Sequence, residues 1–212
     1  MIITWYGQSC FKIQDAQKSI LIDPCSPKRI GLRGPNLTAD IIILTNKDDE
    51  KQVSKDIKDG AFLVSVPGEY EIKNVFIYGT RLLGEKGRQI IYQVEVDGLR
   101  FGVLGEISRL LNDKELEKLD GIDILFVPVG GKDVLGAKKA VELINSIEPK
   151  LVIPCCYQFV SGQEKTKNEQ ESKEKFLAEM GIKNPEVMPK LSIQKKEILS
   201  EETKVIILEP KI

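Results

Sequence analysis

The sequence predicts a mixed α/β chain, in which two mixed sheets pack together with helices on the outside. Three observations carry this. The first half is a series of short runs rich in Ile, Val, Phe and Tyr, "IITWY", "CFKIQ", "SILID", "DIIILT", "AFLVSV", "NVFIYG", "RQIIYQVEV" and "LRFGVLG", separated by Gly, Pro, Asp or Asn, as strands and their turns are. The later part holds two strand-then-helix units, and front-loaded hairpins followed by such units suit two layered sheets. Finally, "PVGGKDVLG" has glycines without the GxGxxG spacing, which sets a dinucleotide-binding sheet aside.

Each element has its own signal. "YQVEV" alternates apolar and polar residues and suits a half-buried antiparallel strand, whereas "DIIILT" and "DILFVPV" are continuously apolar and suit strands covered on both faces. A short helix is expected from about Lys51 to Lys58, capped from within "TNKDDEK". Pro67 and Gly68 suit a turn between strands. "NDKELEKL" at 112 to 119 opens with an Asn cap. The stretch 133 to 147 has Asp133 as its expected cap and sets Val134, Ala137, Val141 and Ile144 on one face. A third helix, in "NEQESKEKFLAEMG", is expected to end at Gly181, and the "SGQEKTKNEQESKEK" run before and within it reads as a solvated loop and helix face.

With 212 residues, 42% of them hydrophobic, the chain is sized for one domain spanning residues 1–212. Thirty-one basic and 32 acidic residues leave a formal charge of -1, so no global field draws it to nucleic acid or an anionic membrane. "MIITWYGQSCF" has neither basic leader nor apolar core, and no run approaches the roughly 18 apolar residues of a spanning helix, so a soluble, cytoplasmic protein is expected. Cys10, Cys25, Cys155 and Cys156 lack zinc-knuckle spacing and read as reduced thiols, mostly in the core.

The stretch "ILTNKDDEKQV", residues 43 to 53, is chemically the most unusual: a buried strand ends in a dense cluster of charges, in a chain with no histidine. Together with "ITWYGQSCFKI", "ILIDP", "VPGEYEIKNVFIYG", "VDGLRFGVLGE", "GIDILFVPVGG" and "EPKLVIPCCY", it resembles the metallo-β-lactamase superfamily, in particular its small single-domain Zn-dependent-hydrolase branch, over nearly the whole chain. The resemblance implies a four-layer αββα sandwich. It also implies where the family's metal ligands would fall. The histidine of its Gly-His-Ser-Cys-Phe segment corresponds to Gln8. Its Thr-His-x-His-x-Asp-His loop corresponds to Thr45, Asn46, Lys47, Asp48, Asp49, Glu50 and Lys51. A later histidine falls near Leu83 or Gly84, the bridging carboxylate at Glu106 after Gly105, and the His-Tyr pair at Cys156 and Tyr157.

Two readings follow from that alignment. A hydrolytic zinc pair needs neutral nitrogen donors and an open position for water, and Leu83, Gly84 and Lys51 supply no ligand. The leading expectation is therefore a metal-free, catalytically inactive member of the fold, acting by binding a small molecule or protein or by assembling into a homo-oligomer. In it Lys51, with Asp48, Glu50 and Glu106, replaces the metal by an ion-pair network. The alternative is a hydrolase of an ester, lactone or phosphoester, in which Asp48, Glu50, Glu106 and Cys156, with Asn46, hold one divalent ion. A Cys156 nucleophile is disfavoured by the lack of a histidine base.

Overall fold

The computed structural model describes residues 1–24, 38–53, 60–84, 88–158, 160–161, 164–165, 170–198 and 202–211. Cys25, the expected helix beyond Val53 and parts of the polar run after Gln158 lie outside them.

Strands β1 (Ile2–Trp5), β2 (Phe11–Gln14), β3 (Ser19–Ile22), β4 (Ile41–Ile43) and β5 (Phe62–Val64) form one sheet with β15 (Leu191–Ser192), in the order β15-β1-β2-β3-β4-β5. β1, β2 and β3 are an antiparallel meander, and β3, β4 and β5 run parallel, with Ile22 opposite Ile43 and Ile43 opposite Val64. The second sheet contains β6 (Gly68–Ile72), β7 (Val75–Arg81), β8 (Ile90–Val96), β9 (Leu99–Val103), β10 (Ile124–Pro128), β11 (Leu151–Cys155), β14 (Glu186–Met188) and β16 (Lys204–Leu208). Its order is β14-β16-β11-β10-β9-β8-β7-β6, antiparallel from β6 to β9 and parallel from β9 to β14. A short ribbon pairs β12 (Val160–Ser161) with β13 (Glu164–Lys165). This is the two-sheet α/β sandwich that the sequence predicts.

The burial of each strand follows its sequence pattern. Every residue of β4, β10 and β11 is buried, as their unbroken apolar runs require, while β7 alternates buried and exposed positions along Val75–Tyr78. The sheets meet through aromatic side chains: Phe11 of the first stacks on Phe126 of the second with centroids 4.2 Å apart, and Trp5 lies 5.1 Å from Tyr157. Such a ring pair contributes about 0.5–1.5 kcal/mol beyond its buried area.

The helices are short: α1 (Glu50–Val53), α2 (Asp113–Leu116), α3 (Ala137–Ile147) and α4 (Lys173–Glu179). Asn112 caps α2, its side chain accepting from the Glu115 N–H while its own N–H donates to the Glu115 carboxylate. α3 starts later than the sequence predicts. Gly136, not Asp133, is its N-cap, and it buries Ala137, Ala140, Leu143 and Ile144. Thus Ala140 and Leu143 complete its core face, and Val141 is only partly buried. Among the described residues no helix is long and apolar enough to cross a membrane.

Candidate functional site

β1, β3, β4 and β5 run in one direction in the first sheet, and β9, β10 and β11 run together in the second. Their carboxyl ends meet at one edge of the sandwich. A Cβ placed on Gly105, just after β9, would lie 2.1 Å from Thr45 Oγ1, just after β4. The Ile90 N–H donates to the Thr45 carbonyl at 2.7 Å, tying the two sheets there. Gly130 after β10 is packed as closely, since its Cβ would stand 2.0 Å from the Cys156 carbonyl oxygen after β11.

The backbone at this edge is strained. Gln8 (φ 49°), Asp23 (φ 41°) and Cys156 (φ 53°) are non-glycine residues in the left-handed region, each in the loop after a strand that ends here. That conformation costs on the order of 1–3 kcal/mol per residue and is kept where the surroundings over-determine it, a pattern concentrated at functional sites. Much of the buried polar surface is here too: Gln8, Ser9, Thr45, Ser65 and Gln89 are all buried.

Asp23 organises the edge. Its Oδ1 accepts from the Thr45 N–H at 2.7 Å and its Oδ2 from the Thr45 hydroxyl at 2.6 Å. The residue keeps some exposure, while its carboxyl group is enclosed. Burial pushes the carboxyl pKa up to about 7; the Thr45 bonds pull it down, and the charges of Glu106 and Asp49 push it up further. Unfolded, Asp23 ionises near 3.8. Between that value and 7 the folded protein holds a proton that the unfolded chain has released, so this group's contribution falls as pH rises through the window and is level above it. In chelator-treated protein, the melting temperature is expected to fall between about pH 5 and about pH 8 by several degrees more in wild type than in Asp23→Asn. Parallel profiles in thermal denaturation would refute this assignment.

The sequence-predicted residues divide. Asn46 accepts from the Asp48 N–H at 3.0 Å and caps the 3₁₀ turn Lys47–Asp49 that leads into α1. Asp48 pairs with Arg88 at 3.3 Å, with both side chains half exposed, a contact worth little. Glu50 accepts from the Ser65 hydroxyl at 2.7 Å, and Lys51 is exposed on α1. Asp48 and Glu50 thus pair with Arg88 and Ser65. Among the described residues no three His, Cys, Asp or Glu side chains are grouped to hold a metal ion, the set Asp48, Glu50, Glu106 and Cys156 included. The Cys156 thiol is pushed well up by its hydrogen bond with Cys155, by burial and by the charges of Cys155, Glu106 and Asp23, so it stays protonated near neutrality. Leu83 is exposed, and its carbonyl accepts from Arg109, whose guanidinium also grips Glu115 through both oxygens.

Sequence reasoning missed Asp23, Asp49 and Gln89. Asp23 stands in the quoted "ILIDP" run, where only its position before a proline singled it out.

The sequence pattern of the Beta-lactamase superfamily domain matches residues 2–156, so the chain belongs to that superfamily. It is similar to a "UPF0173 metal-dependent hydrolase" of Natranaerobius thermophilus, 22% identical over 187 residues, covering 74% of this chain and 83% of that one. A protein of the same name from Thermococcus onnurineus is 25% identical over 193 residues, covering 73% and 84%. Among solved structures, a protein of Thermotoga maritima assigned to the Zn-dependent hydrolases of the metallo-β-lactamase superfamily superposes with a TM-score of 0.81, at 27% identity and 98% coverage of both chains. These findings correct the expectation of a metal-free, inactive protein: the relatives carry the names of metal-dependent hydrolases, which favours the hydrolase alternative and one divalent ion.

Whether this edge fits a metal depends on its donors. With no histidine in the chain, a zinc pair held by imidazoles does not fit. In donor type, carboxylates suit a single hard cation instead. Glu106 and Asp49 both load negative charge onto Asp23, and Mg²⁺-type ions bind through one or two carboxylates, with water and substrate oxygens completing the shell.

Proposed function

We propose that this protein is a hydrolase of ester, lactone or phosphoester bonds, assisted by one divalent cation of the Mg²⁺ or Mn²⁺ type. The observation that carries the reading is the strained, polar edge where the strand ends meet, with the Asp23 carboxyl buried against Thr45 and with Glu106 and Asp49 near enough for their charges to add to the rise that burial causes. Glu106 and Asp49 are the residues that would hold the ion. Bound there, it would polarise the substrate oxygen and acidify a water.

The chain's own groups have distinct tasks in this reading. Asp23 locks Thr45 through two hydrogen bonds, and Thr45 fixes the start of the turn that presents Asp49. Gly105 lets β9 deliver Glu106 against that turn, because no side chain fits beside Thr45. The buried Cys156 thiol is a neutral wall of the site. So few protein donors leave the substrate to complete the cation's shell, which favours a phosphoester. The buried cysteines Cys10, Cys155 and Cys156, which form no disulfide, suit a reducing, cytoplasmic setting.

The test is hydrolysis of p-nitrophenyl acetate, a simple lactone and bis(p-nitrophenyl) phosphate, with Mg²⁺ or Mn²⁺ and with chelator. Phosphodiester cleavage that appears with the ion and disappears with chelator is expected. No turnover of any of the three with either ion would remove the reading.

A further inference from the structure

Gln89 lies at the same edge, immediately before β8, and fastens the site turn to the large sheet. The Lys47 N–H donates to the Arg88 carbonyl at 3.3 Å, the Ile90 N–H to the Thr45 carbonyl at 2.7 Å, and the Leu82 N–H to the Gln89 carbonyl at 3.0 Å. Gln89 itself forms an antiparallel bridge with Asn46. Residues opposed in such a pair present their side chains on the same face, so the Gln89 carboxamide is on the side of the Asn46 carboxamide, in the loop that forms the site.

Its environment is unusual. Gln89 is only 6% exposed, yet its Oε1 has no hydrogen-bond partner among the described residues. Burying an acceptor without a donor is unfavourable, and methionine has the same length and no such atom. A buried acceptor left unmatched beside a strained, charged edge is placed to be matched by a ligand.

We infer that Gln89 is a specificity-determining residue whose Oε1 accepts a hydrogen bond from a hydroxyl or amide donor on the alcohol side of the scissile ester. This rests on the proposed hydrolase reading for the class of substrate. The site therefore selects a phosphoester of a polyol or an amide-bearing alcohol over one of a plain alkyl alcohol, because the plain ester leaves Oε1 unmatched.

The test compares binding of glycerol 3-phosphate, which carries hydroxyl donors, with that of methyl phosphate, which has none on its alcohol side. Calorimetry with Mg²⁺ present is run on wild type and Gln89→Met. The variant is expected to melt no lower than wild type, to bind glycerol 3-phosphate about tenfold more weakly, and to bind methyl phosphate unchanged. In wild type, the ¹³Cδ resonance of Gln89 is expected to move with glycerol 3-phosphate and not with methyl phosphate. A lower melting temperature with unchanged binding would make Gln89 structural and overturn the inference. So would equal loss for both probes, lost ion binding in the variant, or no binding of either probe to wild type. Discrimination between the probes without turnover of any ester would uphold the inference and remove the hydrolase reading. Turnover in wild type with unaltered probe affinity in Gln89→Met would do the reverse.

Discussion

Replacing Gly105 by alanine is expected to destabilise the protein by about 2–5 kcal/mol, the sum of a left-handed backbone penalty and overpacking. Gly105 has φ 63°, and the added methyl would lie 2.1 Å from Thr45 Oγ1 and 2.5 Å from Thr45 Cβ. Thr45 has nowhere to go. Its N–H and hydroxyl are held by Asp23 and its carbonyl by the Ile90 N–H, so a shift that relieved the contact would break bonds at a buried position. Urea unfolding should show a lower midpoint with an unchanged slope. A loss under about 1 kcal/mol would mean that the two sheets are not braced at this contact.

The second large effect is on chemistry. Glu106→Gln keeps the shape of the side chain and removes its charge, and hydrolysis is expected to fall by roughly 10²–10³-fold, as when a group stabilising developing charge is lost. The same substitution has a signature that needs no turnover. The Glu106 charge raises the Asp23 pKa, so removing it should move the Asp23 titration to lower pH, followed by carboxyl ¹³C resonances. An unmoved Asp23 titration would separate the two carboxylates and break the site as described.

The sequence shows the sheets more clearly than the site. Ile41–Ile43, Ile124–Pro128 and Leu151–Cys155 are continuous apolar runs, and a strand covered on both faces has no other economical sequence. The start of α3 is harder to read, because Asp133 and Gly136 are both good caps and only the turn made by the Val134 and Leu135 backbone, bonded to Gly131 and Ile107, decides between them. At the site, Asn46, Glu106 and Cys156 are found because each falls where the resemblance places a family ligand, one to three residues past the end of a strand. The Asp23–Thr45 clamp joins residues 22 apart, just past the ends of neighbouring strands, and no local pattern announces it. Gln89 is invisible for the same reason: its meaning comes from the bridge to Asn46 and from a missing partner, both properties of the folded chain. The absence of histidine, plain in the sequence, points to inactivity only if imidazole is the one ligand considered; carboxylates at the same strand ends offer a harder donor set.

The most direct test is manganese binding by electron paramagnetic resonance, on chelator-stripped wild type, Glu106→Gln and Asp49→Asn. About one ion per wild-type chain is expected, with binding weakened severalfold or more in each variant and phosphoester hydrolysis rising in step with occupancy. Wild type that binds no ion, or variants that bind as wild type does, would contradict the proposed site.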